Sequence, residues 1–171
     1  MKEKPSIIKT NRLVLKSIVD DDKNNFINIV SNDEVSLTYM IPTFKNEQEK
    51  ISLFNKFIEL SNKLDRFVYG IYLNDNLIGF VNDVEKNDEE IELGYVIYPL
   101  YKNNGYATET LTKCIEVLFS MNYKTIKTGA FTSNIASIKV MQKANMNKTD
   151  IIEKITYKDK EHDCIYYIIS K

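Results

Sequence analysis

Apolar residues recur at two different spacings along the chain, and each spacing predicts a different element. Residues 51–60 carry apolar side chains every three or four positions, which is the period of a helix with one buried face. Residues 106–121 show the same period, and their apolar stripe consists of Leu111, Cys114, Ile115, Leu118 and Phe119. Residues 12–18 instead alternate between apolar and polar side chains, which is the period of a half-buried strand. The pattern therefore predicts a mixture of helices and strands.

Polar residues mark the beginnings of the first two predicted helices. Asp20 is a candidate N-cap for a helix that carries Phe26, Ile27 and Val30 on one face. Asn46 with Glu49 three residues later resembles a capping box, and it opens a helix that ends near residue 64. The stretch between these helices, residues 35–44, follows neither period, so we expect it to be irregular.

The remaining strands are separated by residues that favour turns. Residues 67–73 and 77–84 flank Asn74-Asp75-Asn76, which predicts an antiparallel hairpin. Another turn at residues 86–88 leads into a strand over residues 90–98.

The second half of the chain alternates strands with helices. The strand at 90–98, the helix at 106–121 and a strand at 125–131 form a strand-helix-strand unit, so the two strands should be parallel. A helix starting at Asn134 follows. The chain then closes with strands at 148–158 and 163–169, joined by a charged turn around Lys160 and Glu161. The predicted sheet is therefore mixed.

Composition narrows the function classes. The chain has 171 residues, of which 43% are hydrophobic, and this favours one soluble domain with a real core. A net charge of −1 argues against a nucleic-acid partner, which would require a basic surface. The polar first residues do not resemble a signal peptide, and no apolar run is long enough to cross a bilayer. We therefore expect a cytoplasmic protein with no membrane partner.

The two cysteines, Cys114 and Cys164, fall at core-like positions of a predicted helix and a predicted strand. They show neither metal-ligand spacing nor a disulfide framework, so we interpret them as small apolar fillers. His162 lies in a charged stretch and is expected at the surface. The sequence predicts no metal site.

The most informative stretch is residues 90–112, where an apolar strand ends at Pro99, a polar loop follows, and a helix begins near Tyr106. The first backbone N–H groups of a helix have no intrahelical partner, and the helix dipole places about half a positive charge there. Such an arrangement can hold a phosphate group through the main chain. Gly105 permits close approach and Ala107 keeps the next turn thin. The alternative is an ordinary connection between a strand and a helix.

Three segments of this chain, in order, resemble one family. Lys102-Asn103-Asn104-Gly105-Tyr106-Ala107 is similar to the Arg/Gln-x-x-Gly-x-Gly/Ala segment of the GNAT superfamily of N-acetyltransferases. Gly105-Tyr106-Ala107-Thr108-Glu109 and Thr10-Asn11-Arg12-Leu13-Val14-Leu15 are similar to its Rim-type branch, which acetylates the N-termini of ribosomal proteins. Lys102 stands where the family has Arg or Gln.

The third segment begins with Asn134-Ile135-Ala136-Ser137, which resembles the later Asn-x-x-Ser helix of the family. Lys143-Ala144-Asn145-Met146 resembles the Lys-x-Gly-Phe that ends this helix, with Asn145 in place of Gly and Met146 in place of Phe. Asn tolerates the left-handed conformation that Gly normally supplies at a helix end.

The resemblance implies a single-domain GNAT-like α/β (α+β) fold over residues 1–171. Together with the periodicity, it predicts a mixed, mostly antiparallel sheet of about seven strands with about four helices. The implied reaction transfers an acetyl group from acetyl-coenzyme A to a primary amine, such as a protein N-terminus, a polyamine or an aminoglycoside. The protein would be a monomer or a homodimer. The alternative function is a non-catalytic sensor domain of the same fold that binds coenzyme A or another ligand.

The resemblance also implies the cofactor site. The backbone that would hold the pyrophosphate comes from Asn103, Asn104, Gly105, Tyr106, Ala107 and Thr108, with Lys102 nearby. Two parallel strands would splay near Ile97, where a backbone N–H would polarise the thioester carbonyl. Asn134 would hydrogen-bond the pantetheine arm, and Ser137 would assist the departing thiolate. The alternative for Asn134 and Ser137 is a purely local helix cap.

For the general base we favour Glu92, because a strand residue beside the acyl group can take a proton directly or through one water. Asp83 or a water chain is the rival, and Tyr95 or Tyr106 are candidate donors. Six acids crowd residues 83–92, namely Asp83, Glu85, Asp88, Glu89, Glu90 and Glu92. This run is either a solvated hairpin or a rim that attracts a protonated amine.

Overall fold

The computed structural model describes residues 2–171, and this part of the chain forms eight strands, five α-helices and two short 3-10 helices. The 3-10 helices are Asp20–Asp22 and Pro99–Tyr101. The other elements are β1 (Ile8–Lys9), β2 (Val14–Lys16), α1 (Lys23–Val30), α2 (Asp33–Thr38), α3 (Glu47–Asn62), β3 (Tyr69–Leu73), β4 (Asn76–Lys86), β5 (Glu90–Ile97), α4 (Tyr106–Ser120), β6 (Thr125–Phe131), α5 (Ile135–Lys143), β7 (Asn147–Tyr157) and β8 (Lys160–Ser170).

The strands are hydrogen-bonded in the order β1-β2-β3-β4-β5-β6-β8-β7. Strand β5 pairs with β6 in parallel, as the strand-helix-strand unit predicts. Antiparallel pairing joins β1 to β2, β2 to β3, β3 to β4, β6 to β8 and β8 to β7. The predicted fold class, a mixed and mostly antiparallel α/β sheet, is confirmed. The described residues contain one strand and one helix more than predicted, because β1 and α2 are too short to show a period.

The chain forms two compact units. The first unit consists of the described part of residues 1–82 together with Tyr95–Tyr106, and the second consists of Asp83–Gly94 and Ala107–Lys171. Strands β4 and β5 run through both. The sequence-based expectation of one domain stays a prediction.

The core of the first unit is built from aromatic side chains of α1, α3 and β4. The ring of Phe26 lies 5.5 Å from that of Phe54, 5.1 Å from Phe57 and 5.6 Å from Phe80, measured between centroids. Offset aromatic pairs of this kind contribute about 0.5–1.5 kcal/mol each beyond their buried area. The predicted helical stripes of α1 and α3 therefore meet over β4.

The start of α3 confirms the predicted cap, whereas the start of α1 does not. Asn46 Oδ1 accepts a hydrogen bond from Glu49 N at 3.0 Å, although the Glu49 carboxylate reaches Lys45 N rather than Asn46 N. Asp20 is not an N-cap and instead opens the 3-10 helix. The carboxylate of Asp22 accepts a hydrogen bond from Val19 N at 2.9 Å. A different aspartate of the same run therefore bonds the backbone that precedes the helix.

The prediction that residues 35–44 are irregular is wrong in its first part. Residues 33–38 form α2, and Asn32 Oδ1 accepts a hydrogen bond from Val35 N at 3.2 Å at its start. A helix of six residues makes fewer than two turns, so its apolar residues cannot display the 3.6-residue period. The N-cap residue Asn32, and not the spacing of apolar residues, was the sequence feature that could indicate this helix.

The predicted hairpin of β3 and β4 is confirmed. Asn74 and Asp75 adopt φ angles of 48° and 63°, the left-handed conformation at both central turn positions. This turn matches the twist of the flanking strands, and Asn and Asp tolerate it better than other side chains.

In the second unit, α4 buries Leu111, Cys114, Ile115 and Leu118, while Phe119 is only half-buried. Cys114 and Cys164 are free and buried, as predicted. Burial raises the pKa of the Cys114 thiol to about 12.

The predicted position of the last turn is wrong, because Lys158 and Asp159 adopt φ angles of 50° and 58° and form the turn. Lys160 and Glu161 already belong to β8.

Candidate active site

The loop that joins β5 to α4 has a defined backbone conformation. Asn103 and Gly105 adopt left-handed φ angles of 63° and 79°. The side-chain amide of Asn104 donates to the carbonyl oxygens of Tyr101 at 3.1 Å and of Lys102 at 3.0 Å. These bonds tie residues 101–104 into a compact turn just before the helix begins.

The space beside Gly105 is open. A Cβ atom placed on Gly105 would have one neighbour within contact distance, Arg12 Nη2 at 3.5 Å. Glycine is therefore required by its φ angle and not by packing against protein. The open space lies at the start of α4, where helical N–H groups lack intrahelical partners. The residues present thus fit an anionic group such as a pyrophosphate.

Arg12 lies beside this loop, a position that its place in the sequence does not indicate. Its guanidinium lies 4.6 Å from the centroid of the Tyr106 ring, a cation–π contact at the first residue of α4. Residues 12 and 105 are far apart in sequence, and no spacing rule brings them together. A fixed cation beside the open space strengthens the attraction for a phosphate.

Lys102 makes an ion pair that the sequence did not predict. Its Nζ lies 3.1 Å from both carboxylate oxygens of Glu34, and the two side chains are 57% and 55% exposed. An exposed pair of this kind contributes about 0–1 kcal/mol. A phosphate can therefore compete with Glu34 for Lys102.

Strand β5 closely approaches β4 near its carboxyl end. Tyr98 N donates to Ile78 O at 2.7 Å, and a Cβ on Gly79 would lie 2.1 Å from Val96 O. Any side chain at position 79 would displace the strand, so this close approach requires glycine. The assigned role of the backbone N–H near Ile97 stays a prediction.

The parallel pairing of β5 with β6 is short. Its register covers Glu90 with Thr125, Ile91 with Ile126, and Glu92 with Lys127. Both strands continue beyond these pairs, β5 to Ile97 and β6 to Phe131. The recorded pairing therefore ends at Glu92, as expected where parallel strands splay.

Glu92 forms an ion pair at the end of this ladder. Its carboxylate lies 3.0 Å from Lys127 Nζ, and the two side chains are only 15% and 21% exposed. Burial raises the pKa of Glu92, and Lys127 opposes that shift, while the charges of Glu85 and Glu153 add to it. Burial is therefore a larger cause of the raised pKa of Glu92 than repulsion from the neighbouring acids.

Lys127 connects Glu92 to a wider group of polar side chains. Its Nζ lies 4.0 Å from the centroid of the Tyr166 ring. The Tyr166 hydroxyl donates to Glu153 Oε2 at 2.6 Å. These contacts join side chains of four neighbouring strands, from Glu92 on β5 through Lys127 on β6 and Tyr166 on β8 to Glu153 on β7. This network holds Lys127, and through it Glu92, in one position.

The other acids of residues 83–92 differ in their surroundings. Asp83, the rival base, is buried and lies 4.0 Å from Lys86 Nζ. The pKa of Tyr123 is raised by burial and then by the charge of Asp83. Glu89 forms an ion pair with Lys124, whereas Glu85 is exposed. Lysines therefore offset much of the acidic run.

Asn134 and Ser137 have the local relationship that the sequence predicted. Asn134 Oδ1 accepts a hydrogen bond from Ser137 N at 3.1 Å and caps α5. Because Oδ1 serves as the cap, Nδ2 is the atom that Asn134 can present to a ligand carbonyl. At the other end of α5, Asn145 has a φ angle of 59°, so it adopts the left-handed conformation expected of it.

The expectation that His162 lies at the surface is wrong. Its ring is half-buried and stacks on Phe131 with 4.5 Å between centroids and 19° between planes. Its Nε2 lies 3.3 Å from Tyr157 O. Local sequence does not indicate this contact, because it is the pairing of β6 with β8 that brings residue 162 beside residue 131.

Within residues 2–171, no cluster of three or more His, Cys, Asp or Glu side chains is arranged to hold a metal ion. In the same part of the chain, every helix is too short or too polar to cross a membrane.

Comparison with known proteins shows what this chain is similar to. YoaA of Bacillus subtilis, described as an uncharacterized N-acetyltransferase, is 29% identical over 171 residues, which is 96% of this chain and 97% of YoaA. An acetyltransferase of the GNAT family from Bacillus anthracis has a similar fold, with a TM-score of 0.83 at 22% identity over 96% of this chain and 98% of that one. The ribosomal L7/L12 alpha-N-protein acetyltransferase RimL, solved in complex with coenzyme A, gives a TM-score of 0.82 at 14% identity over 96% and 97% of the two chains.

A family model also matches this chain directly. The model, described as an acetyltransferase (GNAT) domain, matches residues 12–147. This stretch is well over half of the chain and includes Glu92, the Gly105 loop and the Asn134 cap. The protein therefore belongs to the GNAT family of acetyltransferases and is an acyltransferase.

Proposed function

We propose that the protein transfers an acetyl group from acetyl-coenzyme A to a primary amine. The observation that carries the proposal is the open space at Gly105, where the loop and the start of α4 form a cradle into which a Cβ atom would project. The complex of the similarly folded RimL with coenzyme A supports the choice of cofactor.

Acetyl-coenzyme A supplies an activated acetyl group as a thioester. The main chain of residues 103–108 would hold its pyrophosphate, with Arg12 and Lys102 as nearby cations. Asn134 Nδ2 would donate to a carbonyl of the pantetheine arm. The backbone N–H near Ile97 would stabilise negative charge on the thioester oxygen.

The amine nitrogen must be unprotonated to attack the thioester carbon. Glu92 would accept the amine proton, directly or through one water. As the carbon–nitrogen bond forms, the carbon–sulfur bond breaks, and the thiolate takes up a proton. Ser137 would assist the thiolate by donating a hydrogen bond. The proposed acceptor is a protein N-terminus or a small amine. The proposed location is the cytoplasm, and the free thiols of Cys114 and Cys164 agree with it.

One observation favours the alternative, a sensor domain that binds coenzyme A without turnover. The carboxylate of Glu92 is already paired with Lys127 at 3.0 Å, so an incoming amine would have to compete with that lysine for it. The two functions share the cradle and differ only in the chemistry.

A binding titration and an assay of thiol release separate the two. We expect calorimetry to show binding of acetyl-coenzyme A and coenzyme A, and thiol release to rise with at least one member of a panel of protein N-terminal peptides and small amines. Binding without release across the whole panel would favour the sensor. Failure to bind either form of coenzyme A would overturn both functions.

A further inference from the structure

A cavity of about 220 Å³ lies in the first unit, among residues of α1, α3, β4 and the segment after α2. Aromatic side chains, Tyr39, Phe57 and Phe80, form much of its wall. An engineered apolar cavity of about 150 Å³ is enough to hold benzene. The cavity can therefore hold one ring or a branched aliphatic group with a short substituent.

The charged groups that line the cavity are all of one sign. Lys56 and Arg66 both line it, and no Asp or Glu is among its lining residues in the described part of the chain. Lys56 is exposed and Arg66 is half-buried, whereas Val68 and Phe80 are fully buried. The cations therefore lie towards solvent and the apolar wall lies deeper. A ligand with an apolar body and an anionic group fits this gradient.

The polar contact inside the cavity is fixed. The Tyr39 hydroxyl donates to Asn82 Oδ1 at 2.5 Å, and the Tyr39 ring meets Phe80 edge-on with 5.5 Å between centroids. Burial raises the pKa of Tyr39, so its hydroxyl stays neutral. The wall at Tyr39 and Asn82 thus carries no charge of its own.

One wall of the cavity comes from β4, the strand that approaches the part of β5 to which the proposed function assigns the thioester. Its wall residues Tyr39, Phe57 and Phe80 belong to the same hydrophobic cluster as Val96 and Tyr98. Those last two residues flank Ile97. Phe80 also follows Gly79, whose Cβ position would lie 3.2 Å from Ile97 Cα, so β4 connects this wall of the cavity to Ile97.

We propose that this cavity binds the apolar part of an amine acceptor that also carries a carboxylate, with Lys56 and Arg66 attracting the carboxylate. The identification of the ligand as the acceptor rests on the proposed acetyl transfer. The same two cations would repel a polyamine or an aminoglycoside, whose charges are all positive. The acceptor class is therefore a hydrophobic amino acid or a similar amine.

Binding of ligands without any amine tests the cavity independently of catalysis. We expect calorimetry to show that 3-phenylpropionate binds at least about tenfold more tightly than 3-phenylpropanamide, which has the same ring and no charge. Phenethylamine should bind more weakly than either. Equal affinity for the carboxylate and the amide would overturn the assignment of the cations.

Three variants localise the site. Lys56→Met and Arg66→Met should each reduce the affinity for 3-phenylpropionate towards that of the amide, with folding checked by circular dichroism. Lys50→Met is the matched control on the same helix, because Lys50 pairs with Glu47 and does not line the cavity. Unchanged affinity in both Lys56→Met and Arg66→Met, or an equal loss in Lys50→Met, would overturn the proposal.

A fourth variant fills the cavity. Leu53→Trp places a large ring at a half-buried lining position and introduces tryptophan into a chain that has none. We expect the folded variant to lose 3-phenylpropionate binding, and retained binding would show that the ligand lies elsewhere.

Acetyl transfer completes the test. We expect a higher kcat/KM for phenylalanine than for phenylalaninamide, and the lowest for spermidine. If spermidine is acetylated best and 3-phenylpropionate does not bind, the result contradicts the assignment of the cavity and supports the acetyltransferase function. If 3-phenylpropionate binds with the expected variant effects and no amine is acetylated, the proposed function falls while the carboxylate site stands.

Discussion

At the scale of single residues, the pair of Glu92 and Lys127 decides how this site would handle a proton. Burial disfavours the charged carboxylate, whereas Lys127 at 3.0 Å favours it, and the net effect raises the pKa of Glu92. A base with a raised pKa holds a proton more strongly than an ordinary carboxylate does. Lys127 therefore limits the rise in the pKa of Glu92 that burial alone would cause.

Replacing Glu92 with Gln tests the base. We expect kcat/KM to fall about a hundredfold or more at low pH, where few amine molecules are unprotonated, and to recover partly as pH rises. Glu85→Gln is the control, because Glu85 is exposed and belongs to the same acidic run. Measured pH–rate profiles that match the wild type in both variants would transfer the role to Asp83 or to water.

Replacing Lys127 with Met tests the influence on Glu92. The change removes the charge that favours the carboxylate, so the pKa of Glu92 should rise further, and the acidic limb of the kcat/KM profile should move to higher pH. A carboxyl group whose pKa is higher in the folded than in the unfolded protein adds to the free energy of unfolding at low pH. That contribution is lost as pH rises through the pKa of the folded protein. Thermal stability of the variant should therefore fall more than that of the wild type as pH rises.

The exposed pair of Lys124 and Glu89 supplies the matched control for this change. Lys124→Met removes a lysine from the same sheet region without touching Glu92, and it should leave the acidic limb in place. A limb that does not move in Lys127→Met would show that Glu92 does not set the pH dependence.

Asn134 and Ser137 should differ in the step that each affects. Asn134→Ala removes the cap of α5 and the proposed ligand donor, so we expect a loss of about 1 kcal/mol in the free energy of unfolding and weaker binding of coenzyme A. Ser137→Ala should lower kcat with little change in acetyl-coenzyme A affinity. Calorimetry, denaturant unfolding and steady-state kinetics measure these effects. An unchanged kcat in Ser137→Ala would assign the leaving-group role to a tyrosine or to water.

At the scale of elements, the junction of β5 and α4 is where backbone conformation matters most. The 3-10 helix, two left-handed residues and the start of α4 follow one another within residues 99–106. The proposed anion cradle would be formed by main-chain groups, so side-chain substitutions would act on it mainly through φ angles and bulk. Glycine at position 105 satisfies both requirements.

Gly105→Val should abolish coenzyme A binding while leaving most of the fold intact. Valine is disfavoured at a φ angle of 79°, and its side chain would occupy the open space beside α4. Asn122→Ala is the control, because Asn122 adopts a φ angle of 65° at the other end of α4. The control should lose stability and keep its affinity. Unchanged coenzyme A affinity in a folded Gly105→Val protein would remove the cradle from the proposal.

At the scale of the whole molecule, ligand binding should be visible as added thermal stability. A ligand at about one hundred times its Kd stabilises the folded state by about 2.7 kcal/mol, which raises Tm by roughly 5 to 10 °C in a chain of this size. We expect acetyl-coenzyme A to produce such a shift, measured by differential scanning fluorimetry, and Gly105→Val to lack it. No shift of the wild-type protein at saturating ligand would contradict the cofactor assignment.

The amino-acid sequence by itself determined the features that depend on near neighbours in the chain. The stripes of α3 and α4, the cap at Asn46, the left-handed residue at Asn145 and the hairpin turn at Asn74 and Asp75 were all predictable. Each depends on residues within one or two turns of one another, where spacing and backbone preference suffice. The Gly105 loop was found for the same reason.

Tertiary structure alone decided the features that join distant segments. It brought Arg12 beside Gly105, paired Lys102 with Glu34 and stacked His162 on Phe131. The cavity beside Tyr39 likewise needs α3 and β4 to meet the segment after α2. Sequence spacing carries no record of such contacts, because they arise from strand order and helix packing across the chain. The loop conformation proposed as the cradle was therefore predictable from local sequence, whereas the charges that surround it and the cavity proposed for the acceptor required the fold.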